Sequence, residues 1–335
     1  MRKFAVVACT VVLVACGSSG SSDPVDTPGT TSGAVVDSTA VAATDPATTV
    51  VDTTRPPQDM LAEVELDGVR FGLYECTGLN GTVAADASTV SAVAAYKDNI
   101  FVTMGDGAYA YSASSDGCVM TVDEALGDAG RIDVLITPNN IAVANGLFVG
   151  SAFETIVTDL DGGEYRPCTP VAGAIALTGD ASTLYVSQTG GTLHAFDLTA
   201  DCAELPAPVL DEIDPDFPWA SALATVGDDL IAGYGTDEAF DTIGRFSTTG
   251  RVWSSYGSVD VLATAADGRL LDLNLDGLRL WSVDNVIVGG ADAVDLLGDF
   301  TDWAGAAFDD AGSIWMVGAV VGSSEFRLLR LLPLS

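Results

Sequence analysis

From about residue 90 to the C-terminus, apolar positions alternate with polar ones at a period of two, in short runs separated by Gly-, Asp- and Asn-rich turns. Such alternation predicts half-buried β-strands, and no helical periodicity competes with it. The runs fall into a repeated unit. Its clearest copy starts with Ala174-Ile175-Ala176-Leu177 and turns at Gly179-Asp180 into Leu184-Tyr185-Val186. It turns again at Thr189-Gly190-Gly191 into Leu193-His194-Ala195-Phe196, and passes Ala200-Asp201 into a fourth strand near Cys202. The second strands of successive copies begin near residues 100, 147, 184, 230, 270 and 314, at gaps of 47, 37, 46, 40 and 44. An irregular period in the low forties with four strands per copy predicts an all-β propeller of six four-stranded blades. Seven blades would follow if residues 61–88 formed a degenerate copy, and an open β-sandwich is the alternative architecture. The first strands are rich in Ala, Gly and Val, as crowding around a central axis demands.

The last copy stops soon after its third strand, which would leave a sheet edge open. The segment Ala62 to Leu73 has strand character and no copy of its own. It is expected to supply the missing outer strand and close the ring. In its Asp-Gly turns and strand rhythm the region from about 62 to 335 resembles the bacterial propellers that include the gluconolactonase-like and NHL-repeat families. Neither a WD signature nor a kelch pattern recurs, so this resemblance implies a fold rather than an activity. The gluconolactonase-like enzymes hold a divalent metal with a Glu, an Asn and an Asp from separate blades, and no motif here marks those three residues.

The chain before the repeats has a different pattern. Arg2 and Lys3 precede a short apolar run, Phe4 to Val14, too short to span a bilayer as a helix. The run ends in Leu13-Val14-Ala15-Cys16, which resembles the lipobox of bacterial lipoproteins. That resemblance implies removal of residues 1–15, acylation of Cys16, and a protein anchored by lipid to a membrane or cell surface outside the cytoplasm. A conventional signal peptide with an incidental cysteine is the alternative. Residues 17–58 contain no Phe, Tyr or Trp and are dominated by Gly, Ser, Thr, Asp, Pro, Ala and Val. Such a stretch buries too little surface to offset its ordering entropy, so residues 16–60 read as a disordered tether with a reach of roughly 35 Å. Residues 61–335 form the propeller domain.

Charge narrows the partners. The net charge is −34, and lysine occurs only at positions 3 and 97. A polyanion repels nucleic acid and anionic headgroups alike. The expected partner is a small ligand, a sugar or another protein, with the chain itself a monomer. Cys76, Cys118, Cys168 and Cys202 remain after the leader and Cys16, an even number that favours disulfides in an exported chain. Three pairings are possible, and Cys76 with Cys118 and Cys168 with Cys202 is preferred because it closes the shorter loops.

No constellation identifies a reaction, and a binding module is favoured over an enzyme. Asp272-Leu273-Asn274-Leu275-Asp276-Gly277 matches the opening of a calcium loop, but Val283 stands where the ligating Glu belongs. The intervening leucines favour a strand ending in an Asp-Gly turn, so no cofactor is assigned and calcium is left open. His194, the only histidine, lies in an alternating strand and is expected to be locally bonded rather than catalytic. A more specific similarity links Asp216-Phe217-Pro218-Trp219 with Asp299-Phe300-Thr301-Asp302-Trp303. Both precede an innermost strand, where propeller loops face the channel mouth. With the loop carrying Asp237, Glu238 and Asp241, they make Asp216, Trp219, Asp302 and Trp303 candidate ligand-binding residues, since acids beside exposed aromatics suit sugars, cations or basic peptides. The alternative packs Trp219 and Trp303 between blades. A metal-dependent, lactonase-like hydrolase is the alternative function.

Overall fold

The computed structural model describes residues 59–79, 90–104, 107–123, 131–132, 140–144, 147–151, 155–159, 165–167, 174–179, 182–188, 192–199, 202–208, 220–234, 242–247, 249–256, 259–265, 267–274, 277–282, 287–291, 300–320 and 325–334. Among these the strands form six antiparallel sheets, and the chain is a β-propeller. Blade 1 comprises Val90–Tyr96, Asn99–Met104, Gly107–Ala113 and Met120–Val122, with Arg131–Ile132 also paired to its third strand. Blade 2 comprises Asn140–Ala144, Leu147–Ser151, Thr155–Asp159 and Tyr165–Pro167. Blade 3 comprises Ala174–Gly179, Thr183–Gln188, Thr192–Asp197 and Ala203–Leu205. Blade 4 comprises Ala220–Val226, Asp229–Tyr234, Thr242–Ser247 and Gly250–Tyr256. Blade 5 comprises Val261–Thr264, Leu270–Asn274, Gly277–Trp281 and Ile287–Ala291. Blade 6 takes Phe300–Phe308, Ile314–Val320 and Phe326–Pro333 from the C-terminus.

Each inner strand lies against the inner strand of the next blade, and that of blade 6 lies against that of blade 1. The small residues anticipated around the axis allow this approach. At Gly305 a Cβ would stand 3.2 Å from the backbone nitrogen of Val93 in blade 1. Side chains of the second strands alternate between the two neighbouring blades. Leu271 and Leu273 join the core between blades 5 and 6, whereas Leu270 joins Ile231 and Ile243 between blades 4 and 5.

Ring closure follows the sequence expectation with one addition. Val69–Glu75 pairs with the third strand of blade 6 and serves as its fourth. Ala62–Leu66 then pairs on the far side as a fifth strand. The expectation of a single outer strand over 62–73 is corrected by Asp67 and Gly68, whose φ angles of 50° and 73° fold the segment into a two-residue hairpin. Val64 and Leu66 of that added strand pack among Leu278 and Leu280 of blade 5. At its other end the hairpin is tied to blade 1 by the Cys76–Cys118 disulfide. The hairpin therefore clasps three consecutive blades. Cys202 is disulfide-bonded as well, and its expected partner Cys168 lies outside the described residues.

Candidate functional site

The inner strands share an irregularity at the end where they enter the ring. One residue is bulged out of the ladder to the second strand at the same place in four blades. The pairs flanking it are Val90/Ala92 in blade 1, Ala174/Ala176 in blade 3, Ala220/Ala222 in blade 4 and Phe300/Asp302 in blade 6. The extra residues are Ser91, Ile175, Ser221 and Thr301. A bulge bends its strand and re-aims side chains, and bulges concentrate at rims and beside functional sites. Here they sit on the face that also carries the turns between second and third strands. Ser221 is exposed and bonds Gly233 O from its hydroxyl at 3.3 Å; Ser91 lies 2.7 Å, hydroxyl to hydroxyl, from Thr103. In blade 3, buried Ser187 accepts a bond from the backbone N–H of Ala220 at 3.0 Å, which ties the entry of blade 4 to its neighbour. The end of the ring where the channel mouth is expected thus carries four bulges, with the Ser91 and Ser221 hydroxyls at two of them.

Two of the predicted ligand-binding residues fall within the described residues. Asp302 is exposed at this mouth, in the bulged stretch of blade 6. Trp303 requires a correction. The inner strand begins at Phe300, so Trp303 lies inside it rather than in the loop before it. A second bulge, between Trp303 and Gly305, follows directly. The indole is 8% exposed, packs in the core between blades 5 and 6, and donates to Asn274 O at 3.2 Å. Its large apolar face gains more from that core than from solvent. It acts as an anchor between blades. Asp216, Trp219, Asp237, Glu238 and Asp241 lie outside the described residues.

The calcium-like motif has a different use. Asp272 and Asn274 lie in the second strand of blade 5, both fully buried and both facing blade 4. The third residue of the corresponding run is Val102, Val186, Ala232 or Met316 in blades 1, 3, 4 and 6, so an acid replaces an aliphatic side chain. Arg279, directly across the hairpin, brings Nη2 to 3.1 Å of Asp272 Oδ2 as an ion pair, out of line for a hydrogen bond. Asn274 donates to Asp272 Oδ1 at 3.3 Å, and the Trp281 indole N–H is directed at the same carboxylate without good alignment. Burial pushes the Asp272 carboxyl up to about 6, against the opposing pull of Arg279. Sequence reading recognised the strand but not the buried acid. Hairpin register alone would have placed Arg279 opposite Asp272.

These residues do not fit the divalent metal that the gluconolactonase-like resemblance implies. Asp272 and Asn274 are the buried acid and amide among the described residues, and a guanidinium already neutralises the carboxylate. Among the described residues no three His, Cys, Asp or Glu side chains gather as a metal cluster. His194 lies 3.2 Å from both Glu204 Oε1 and Gln188 Oε1 and stacks on Phe196, the local bonding expected of it.

No family model matches the chain, and no curated protein matches it. Solved structures do. A gluconolactonase from Xanthomonas campestris, described as important in glucose secondary metabolic pathways, superposes with a TM-score of 0.52 at 13% identity, over 84% of this chain and 99% of that one. A computationally designed protein gives 0.44 at 13% identity, over 72% and 96%. The extracellular domain of a proposed one-component system from B. thetaiotaomicron gives 0.49 at 12% identity, over 77% of this chain and 39% of that one. At these identities the gluconolactonase likeness establishes the propeller fold.

Proposed function

We propose that the chain is a lipid-anchored, extracytoplasmic propeller that binds a ligand at its channel mouth without transforming it. The observation that carries this reading is the bulge repeated at one level of four inner strands, with the Ser91 and Ser221 hydroxyls at two of them. Exposed Asp302 adds a charge there, suited to a polyol or a cationic group. The lipobox-like Leu13-Val14-Ala15-Cys16 and the aromatic-free stretch after it support the anchor. Metal-dependent lactone hydrolysis is the second reading: a gluconolactonase shares the fold, although a shared fold does not carry an activity with it.

Thermal-shift titration of the purified chain with neutral sugars, amino sugars and basic peptides tests the first reading. Stabilisation by one class, weakened in Asp302→Ala, is expected. Hydrolysis of gluconolactone that requires calcium or manganese would replace it with the second. For the anchor, Cys16→Ser should abolish labelling by radioactive palmitate in the producing cell. Retained labelling would refute the lipidation.

A further inference from the structure

We propose that Asp272 is a positioning residue for the channel mouth, coupling protonation inside the blade 4–blade 5 interface to the inner strand of blade 6. The inference rests on the reading of the mouth as a binding surface for its functional meaning, but the coupling itself is a property of the free protein.

The connection is continuous. Asp272 Oδ1 accepts from the Asn274 side-chain amide at 3.3 Å, and Asn274 O accepts from the Trp303 indole at 3.2 Å. Trp303 sits between the two bulges of the blade 6 inner strand, beside exposed Asp302. Asn274 is also the last residue before the turn between second and third strands of blade 5, on the same face as the mouth. The carboxylate that holds Asn274 therefore lies two hydrogen bonds from the strand that presents Asp302.

The charged groups around Asp272 leave its proton free to be gained and lost. Arg279 faces it from the third strand of blade 5, and Asp260, just ahead of the inner strand, opposes ionisation. From blade 4, Ile231, Ile243 and Gly233 present an apolar wall. Among the described residues, the charged groups on that face are Arg245 and Asp229, already bonded to each other at 2.7 Å. The blade 6 inner strand contributes Asp302, on its exposed side. With a carboxyl pushed up to about 6, mild acid converts Asp272 from an anion that accepts from Asn274 and pairs with Arg279 into a neutral group that also carries a hydroxyl donor. A neutral carboxyl is a weaker acceptor than a carboxylate, so the Asn274 bond loosens on protonation at Oδ2 and is lost on protonation at Oδ1. The second strand of blade 5 shifts its hold on Trp303 accordingly.

Proton titration of the full chain, read by the indole N–H signals of Trp281 and Trp303 in nitrogen-15 NMR, tests the coupling without any ligand. Trp281→Phe and Trp303→Phe assign the two signals. The expected result is one shared midpoint near pH 6 for both indoles, absent in Asp272→Asn. In Asn274→Ala the backbone acceptor for Trp303 remains but the side-chain link is cut. Trp281 should then titrate as before while Trp303 becomes insensitive. A Trp303 signal that does not titrate in wild type overturns the proposal, as does one that still titrates in Asp272→Asn or Asn274→Ala. Failure of the mouth as a binding surface would show in the ligand titration and leave these signals unchanged.

Discussion

At the junction of blades 6 and 1, Arg330 is buried and donates to Ser114 O at 2.7 Å, Gly117 O at 2.8 Å and Ser313 Oγ at 3.0 Å. Its guanidinium also stacks over Trp315, with the centroid 4.8 Å away. The nearby Asp309 accepts from the Ser313 backbone N–H at 2.7 Å and from the Trp315 indole at 2.9 Å. At the junction of blades 4 and 5, Asp272 is equally buried, yet its one well-formed bond comes from Asn274. Burial lowers the Arg330 titration point, but an arginine starts so far above neutrality that its charge persists. Burial raises Asp272 into a range that ordinary environments cross. The same desolvation therefore has opposite consequences. One junction holds a fixed charge by carbonyls, a hydroxyl, a ring face and the Asp309 carboxylate 3.8 Å away, and the other holds a charge that can be withdrawn. The first is the seam where the chain's two ends meet, and it is built for permanence.

The sharpest way to break the seam is to remove the clasp. Deleting residues 59–75 takes away Val64, Leu66, Phe71 and Leu73 from the core and exposes the third strand of blade 6 as an edge. The expected outcome is loss of cooperative melting or association into oligomers, read by calorimetry and size-exclusion chromatography. A monomer with unchanged melting would show that the hairpin is not the closure.

A smaller effect is expected from the covalent tie. Cys76 and Cys118 are separated by 42 residues, and cross-linking a loop of that size is worth about 4 kcal/mol in the chain-entropy account. Cys76→Ser with Cys118→Ser should lower the free energy of unfolding by that order in a denaturant titration. The backbone bonds from Thr77 N to Cys118 O and from Met120 N to Thr77 O, at 2.9 and 2.8 Å, should hold the seam in register. A loss below about 1 kcal/mol would mean that these bonds and Arg330 already fix the seam without the sulfurs.

How far the sequence reveals these two junctions follows from the range of the interactions. Period-two alternation is local, so the strands, the blade repeat and the unpaired segment at 62–73 were all legible. Of the three possible pairings of four cysteines, the preference for the shorter loops picked out Cys76–Cys118, which the structure contains. For Trp303 the sequence offered packing between blades as the alternative to a ligand-facing loop and could not decide between them, because the bulges that place it inside the inner strand have no local signature. Asp272 was read as an ordinary strand residue because alternation says which face a side chain takes, not whether that face is solvent or another blade. Arg330 was invisible for the same reason: its partners Ser114 and Gly117 come from the opposite end of the chain.

The last test separates the two junctions by their response to acid. In the unfolded chain Asp272 titrates at its ordinary value of 3.8; in the folded protein it does so near 6. Below 3.8 both states carry the proton and the group makes no difference. Between 3.8 and 6 the unfolded state has released its proton while the folded state keeps it, so stability falls as pH rises. Above 6 the folded state is ionised too, and the loss is complete. The difference in titration point corresponds to a total on the order of 3 kcal/mol. Other carboxylates titrate in the same window, so the informative quantity is the unfolding free energy of wild type minus that of Asp272→Asn, measured by urea titration from pH 4 to 7.5. It should fall by about that amount, mostly before pH 6. Arg330→Met, by contrast, should destabilise the seam by a similar margin, because it leaves the Ser114 and Gly117 carbonyls and the Asp309 carboxylate without their cation, and the arginine charge itself does not titrate in the range. A wild-type minus Asp272→Asn difference that stays flat with pH would mean that Arg279 and Asn274 hold Asp272 ionised throughout, and that the two junctions are alike after all.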